Sequence, residues 1–264
     1  MKVMTLNTHS LSEKEADFKR KETAKMIVKE KPDIIALQEV NQTITCRVIQ
    51  PARGYVGKDK IKEDNYASAL IQDIEALGYN YHWVWIPIKL GYGKFEEGLA
   101  LLSSKPIIEV DEILLSKTDD FNNWKRRKAL GIKVDNAWYY TVHMGWWSDE
   151  EEPFIYQWNL LNNHLKNKLE KVFLLGDFNA PDSIKNQSYD QVIQDGYFDL
   201  YQLAQHVEGH DTAKGKIDGW NEEVTGMRID YMFSTQKIEV NQLKVIFDGK
   251  NGPIVSDHFG LLME

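Results

Sequence analysis

The chain has 264 residues, 42% hydrophobic and 27% charged, with a mean hydropathy of −0.47, a balance that excludes a low-complexity chain and allows a substantial core. No apolar run approaches the roughly 20 residues a bilayer span requires, and Met1 leads into a strand pattern without a basic segment and signal core, so a cytoplasmic protein with no membrane role is expected. The net charge of −8, from 32 basic and 40 acidic residues, argues against a face that grips long nucleic acid, and the lone Cys46 excludes an internal disulfide.

Residues 2–7, KVMTLN, read as a short strand ending in Asn7. Residues 13–30 are helix-compatible, with Phe18, Ala24, Ile27 and Val28 as a loose apolar face, and Pro32-Asp33 breaks the pattern. Ile34 to Leu37 form a buried-strand run ending in Gln38-Glu39, and residues 41–64 read as a long loop. Asn65 is expected to cap a helix running to Leu77, because Leu70, Ile71, Ile74 and Leu77 recur at helical spacing and Gly78 can end it. Strands are expected at 79–88, 98–103 and 107–115, then at 129–134 and 138–143 around the turn Asp135-Asn136. The second of that pair ends in His143. Pro153 starts a helix whose stripe is Ile155, Trp158, Leu161, Leu165 and Leu169. Residues 180–227 read as short helical pieces and loops, with 209–226 a surface excursion; strand patterns resume at 228–233 and 238–247. Ile254-Val255 lead into Ser256-Asp257-His258. No repeat or linker divides the chain, so one domain over 1–264 is expected.

The stretch Val172 to Asn179, VFLLGDFN, shows what these strand endings offer. Four apolar residues lead to Asp177 and Asn179, which share one face because strand residues two apart point the same way. An ordinary turn uses the same residue types. What separates the two readings is recurrence, since Asn7, Glu39, His143, Asp230 and Asp257-His258 also end apolar runs. If they converge, they supply carboxylates, carboxamides and imidazoles but no thiolate. That donor set suits Mg²⁺, or Mn²⁺, and magnesium commonly shares its remaining positions with substrate phosphate.

The segments LNTH, ALQEVN, GLALLS, GDFN, RIDYMF and SDH, in this order over essentially the whole chain, resemble the endonuclease/exonuclease/phosphatase superfamily. The resemblance implies an α+β four-layer αββα sandwich, two packed mixed β-sheets flanked by helices, with the site at one end of the sheets. It implies that Glu39 is the principal metal ligand, with Asn7 beside it and Asp257 as a further ligand or orienting group. Asp177 would deprotonate the attacking water and Asn179 would hold the phosphoryl group or that water. His143 and His258 would bind the non-bridging oxygens, and Asp230 would keep His258 charged.

The resemblance leaves the substrate open. A small phosphorylated sugar is favoured, with an exonuclease III-like or apurinic-type DNA nuclease as the alternative. Within the basic run Lys125 to Lys128, Arg126 or Arg127 is a candidate phosphate clamp, although such runs are commonly only solvated. Trp83, Trp85, Tyr92, Trp146, Trp147 and Trp220 fall near the expected site-side loops, and flat aromatic faces stack on sugar rings. LNTHS, HMGWW and the acidic run Asp149 to Glu152 also resemble a bacterial branch of the superfamily, the maltose 6'-phosphate phosphatases.

Overall fold

In the computed structural model of the chain, which describes residues 1–217 and 224–264, alternate residues of the first strands enter different cores. In chain order the elements are β1 (Val3–Asn7), α1 (Ala16–Glu30), β2 (Ile34–Thr43), α2 (Tyr66–Ala76), β3 (His82–Gly91), β4 (Phe95–Ser103) and β5 (Glu109–Leu114). There follow β6 (Lys128–Val134), β7 (Ala137–His143), α3 (Phe154–Leu165), β8 (Lys171–Asp177), α4 (Ser188–Gln194), β9 (Phe198–Asp199), α5 (Leu200–Leu203) and β10 (Ala204–Glu208). The chain closes with β11 (Ala213–Gly215), β12 (Val224–Met227), β13 (Asp230–Ser234), β14 (Val240–Ile246) and β15 (Gly260–Met263).

Two mixed sheets carry the fold. One runs β10-β14-β15-β1-β2-β4-β3 and the other β5-β6-β7-β8-β13-β9, with β11 and β12 forming a small separate pair. Val3, Ile34 and Ala36 face Leu130, Phe173, Leu175 and Met232 between the sheets. Met4, Leu6, Ile35 and Leu37 point the other way, onto Ala24 and Ile27 of α1 and Leu70, Ile71 and Ile74 of α2. On the far side, Phe154, Trp158, Leu161 and Leu165 of α3 cover Tyr140, Val142, Leu174 and Phe233. Helix, sheet, sheet and helix thus stack as a four-layer α+β sandwich, and central strands such as β1, β7 and β8 are buried on both sides while the outlying β5 and β10 are not.

Several sequence expectations meet the structure closely. The Asn65 side chain accepts a hydrogen bond from the Ser68 amide at 2.9 Å, which fixes the first turn of α2. Others are corrected. Phe18 is 59% exposed, because it lies about two and a half turns before Ile27 and therefore on the opposite face of α1. Leu169 is 97% exposed, since α3 stops at Leu165 and the chain must turn to enter β8. Strand β2 does not end at Glu39 but continues to Thr43 after its pairing with β4 shifts between Leu37 and Val40. Within 180–227, β10 joins the first sheet beside β14. The four residues of β15, passed over in the sequence, are central, paired to both β1 and β14. Trp83 and Trp85 are core residues that donate to backbone carbonyls. Trp220 lies outside the described residues.

Candidate active site

Register builds the second sheet's share of the site. His143 is the partner of Asp177 across the parallel β7–β8 pair, and Asp177 is the partner of Asp230 across the antiparallel β8–β13 pair. Three polar residues therefore end three adjacent strands abreast. Gly176 lets this happen at close quarters. Its φ is +129° and a Cβ there would sit 2.3 Å from the Val142 carbonyl oxygen, so only glycine fits immediately before Asp177.

The first sheet delivers its residues differently. Asn7 ends β1 opposite Gln38, and the Gln38 side chain turns between the sheets to donate to Thr5 Oγ1 and Thr141 Oγ1. Glu39 follows at the irregularity in β2 with φ +54°, which re-aims it out of the strand's alternation and towards the second sheet. The Asn7 Nδ2 then donates to both Glu39 Oε1 at 2.9 Å and Asp177 Oδ2 at 3.1 Å. Its Oδ1 accepts the His9 amide, so in this arrangement Asn7 bridges the two carboxylates.

Asp177 is the hub. Its Oδ1 accepts the Asn179 amide at 2.8 Å, while its Oδ2 lies 3.7 Å from His143 Nε2 and 3.8 Å from His258 Nε2. His258 is oriented by its other ring nitrogen, 2.9 Å from Asp230 Oδ2. Burial alone would discharge that imidazole, but the Asp230 and Asp177 charges hold its pKa well above the usual histidine value. His143 faces Glu39 at 3.9 Å and Asp177 at 3.7 Å, neither as close as Asp230 is to His258. Burial and the nearby Arg127, Lys89 and His258 cations hold it well below. Burial, together with the Asp230 charge, pushes Asp177 up to about 6 against the opposing His258 charge. Glu39 is pushed up to about 7 by burial and by the Glu97 and Asp257 carboxylates.

A cavity of about 190 Å³ opens over these groups, lined at its floor by Glu39, His143, Asp177, Asn179 and His258 and at its mouth by Tyr92, Trp124 and Trp146. Trp124 and Trp146 form a tilted ring pair with centroids 6.0 Å apart. Trp147 does not line this cavity; it packs towards Phe154 and, with Trp146 and Asn179, lines an adjoining one. Of the two arginine candidates, Arg126 turns to Asp119 and to the Ile88 carbonyl, whereas Arg127 lines the cavity. Asp257 sits beside the site, its Oδ1 3.8 Å from His9 Nδ1, and His9 in turn is 2.8 Å from Glu13 Oε1. Burial opposes a charge on His9, yet Glu13, Asp257 and Glu39 carry its pKa up to about 9.

Sequence reasoning passed over Lys89, Glu97 and Trp124 on the cavity wall. A signal existed for the first two. Each is a charged residue set inside an apolar strand run, IPIKLG and FEEGLAL, where burial calls for a partner or a purpose.

The four-layer sandwich with acid and imidazole groups gathered at the ends of both sheets defines a class, the phosphoesterases that hydrolyse phosphate esters. The chain belongs to the Endonuclease/Exonuclease/phosphatase family, whose sequence model matches residues 4–258. It is similar to an endonuclease/exonuclease/phosphatase family protein from Leptotrichia buccalis C-1013-b, with 29% identity, a TM-score of 0.90, and 100% of this chain and 98% of that one covered. A mannosyl-6-phosphatase from Bacteroides thetaiotaomicron VPI-5482 matches at 19% identity and TM-score 0.66, covering 100% and 98%. A 3' phosphatase from Neisseria bound to product DNA hairpin matches at 17% identity and TM-score 0.65, also covering 100% and 98%. Comparison with curated protein sequences gave no match.

Proposed function

We propose that the chain is a cytoplasmic, Mg²⁺-dependent phosphomonoesterase that removes phosphate from a small phosphorylated sugar by direct attack of water. One observation carries the reading. Asp177 Oδ2 lies within 3.8 Å of Asn7, His143 and His258 at the floor of a small aromatic-mouthed cavity. At about 190 Å³ the space is below the ~300–1,000 Å³ of pockets that enclose drug-sized ligands, which favours a phosphoryl group with part of a sugar over a duplex.

The residues fit a hard divalent cation. Glu39 Oε2 is buried without a hydrogen-bond partner, and Glu97 and Asp257 crowd negative charge around it. Glu39 would hold the ion, Asp257 would hold or orient it from the His9 side, and Asn7 would join them only with its amide turned over. Mn²⁺ would satisfy the same donors. Such an ion, once bound, would supply Lewis-acid charge to the site.

The rest falls to the chain. Asp177, ionised, orients a water and takes its proton as the water oxygen bonds to phosphorus. Asn179 is held by its Nδ2 on the Met144 carbonyl, 2.9 Å away, and steadies that water or the phosphoryl group. Protonated His258 and neutral His143 face the non-bridging oxygens, where charge grows in the transition state. The ester P–O bond breaks, and the sugar oxygen leaves as a hydroxyl after taking a proton from solvent. Trp146 and Trp124 offer faces to the sugar.

A phosphate-release assay with Mg²⁺ over sugar 6-phosphates, including maltose 6'-phosphate, nucleotides and abasic DNA tests the proposal. Fastest release from a sugar phosphate, lost with chelator and in Asp177→Asn, is expected. Preferred nicking of abasic duplex, or release untouched by chelator, would refute it.

A further inference from the structure

The basic run Lys125 to Lys128 divides its four charges unequally. Lys125 pairs with Asp149 at 2.8 Å and Glu151 at 3.0 Å, Arg126 with Asp119 at 2.6 Å, and Lys128 with Glu112 at 3.2 Å. Arg127 alone turns inward. It is 2% exposed, lines the catalytic cavity, and among the described residues no carboxylate lies within ion-pair distance of it. Its Nη1 donates to the carbonyls of Trp124 and Arg126, and its Nε is buried with no acceptor. A neighbouring cation, Lys89, also lines the wall, but it is answered by Glu97 at 3.1 Å. The wall beside His143 thus carries a buried guanidinium with no direct ion pair, on which the Glu97, Asp177 and Glu39 charges act only from beyond contact distance.

An unpaired buried charge is costly, and a fold retains one where something else supplies the counter-charge. Guanidinium groups match phosphate oxygens in shape and charge. The floor of the cavity already has groups for the attack and for one pair of non-bridging oxygens. A phosphomonoester differs from a diester in having a third terminal oxygen and, near neutral pH, a second negative charge.

We propose that Arg127, backed by the Lys89–Glu97 pair, is a specificity-determining residue that binds this third terminal oxygen, so that the cavity selects monoesters over diesters. The inference rests on the phosphoesterase reading of the same site. It assigns to a side-chain cluster outside the Asp177 hub the choice between the two ester classes. Glu97 fixes the Lys89 ammonium against the wall, which leaves the guanidinium as the group open to the ligand.

The test compares p-nitrophenyl phosphate with bis(p-nitrophenyl) phosphate for the wild type, Arg127→Met and Arg127→Lys. For Arg127→Met the ratio of kcat/KM for monoester over diester is expected to fall about 30-fold, the loss of one or two charge-assisted hydrogen bonds, with partial recovery in Arg127→Lys. Equal losses on both esters, or an unchanged ratio, overturn the proposal. Inorganic phosphate binding, measured by calorimetry at pH 8 on the same three proteins, gives a second readout that does not need turnover. Weakening of at least tenfold in Arg127→Met supports an anion site even if the wild type proves inactive on every ester; unaltered phosphate affinity removes it. Matching circular dichroism spectra and melting curves separate a lost contact from a lost fold.

Discussion

The two sheets bring their polar residues to the same cavity by different means. In the second sheet His143, Asp177 and Asp230 arrive in plain register, each opposite the next. In the first, Glu39 arrives only because β2 slips its pairing and takes a positive φ. The register-built side is tied to groups outside its own sheet, Asp230 to His258 at 2.9 Å and Asp177 to Asn7 at 3.1 Å. The irregular side is electrostatically unfinished, with three acidic groups near one another and a Glu39 oxygen left bare. Proton and phosphoryl handling would suit the first arrangement, and a divalent cation would complete the second.

The sharpest way to break this division of labour is at its hub. Asp177→Asn is expected to lower kcat about 10³- to 10⁴-fold with little change in melting temperature, because only the proposed proton acceptor is removed. Activity within tenfold of wild type would take the base away from Asp177. On the irregular side, Glu39→Gln is expected to raise the Mg²⁺ concentration for half-maximal activity about 10- to 100-fold.

That second contrast has a stability counterpart. Glu39 and Asp177 both titrate above their ordinary values, so without metal the folded protein retains protons that the unfolded chain has released between about pH 4 and pH 7. Their contribution therefore favours folding at the acid end and is lost as pH rises through the folded-state values. Mg²⁺ is expected to raise the melting temperature more at pH 8 than at pH 5, and Glu39→Gln to raise the metal-free value at pH 8 while shrinking the Mg²⁺ shift. An equal Mg²⁺ shift at both pH values would dissociate the ion from these carboxylates.

Smaller effects sharpen the other side. Removing the Asp230 charge takes away what keeps His258 protonated, so Asp230→Asn is expected to move the alkaline limb of the kcat profile to lower pH and to cost about 10- to 100-fold in rate. An unmoved limb would mean that His258 does not act as a cation. Least of all, Trp146→Ala is expected to raise KM for a sugar phosphate about three- to tenfold, more than it lowers kcat, through loss of a stacking face. The same substitution should matter less for inorganic phosphate as an inhibitor, which has no ring to stack.

Much of this was legible in the sequence for local reasons. An apolar run that stops at Asp177 announces a strand end, and Asn65 announces the α2 cap, because each depends on neighbours a few residues away. Phe18, Leu169 and β15 were misread or missed where phase, helix length and strand partners depend on distant parts of the chain. The sequence determined which donors exist, their order, and the apolar alternation that makes two sheets pack. Only the tertiary structure decided that Arg127 rather than Arg126 enters the cavity, that Trp146 and not Trp147 reaches its mouth, and that Lys89 and Glu97 join the wall. The physical reason is plainest for the two neighbouring pairs. Adjacent side chains point to opposite sides of an extended backbone, and which side is inside depends on partners brought together only by folding.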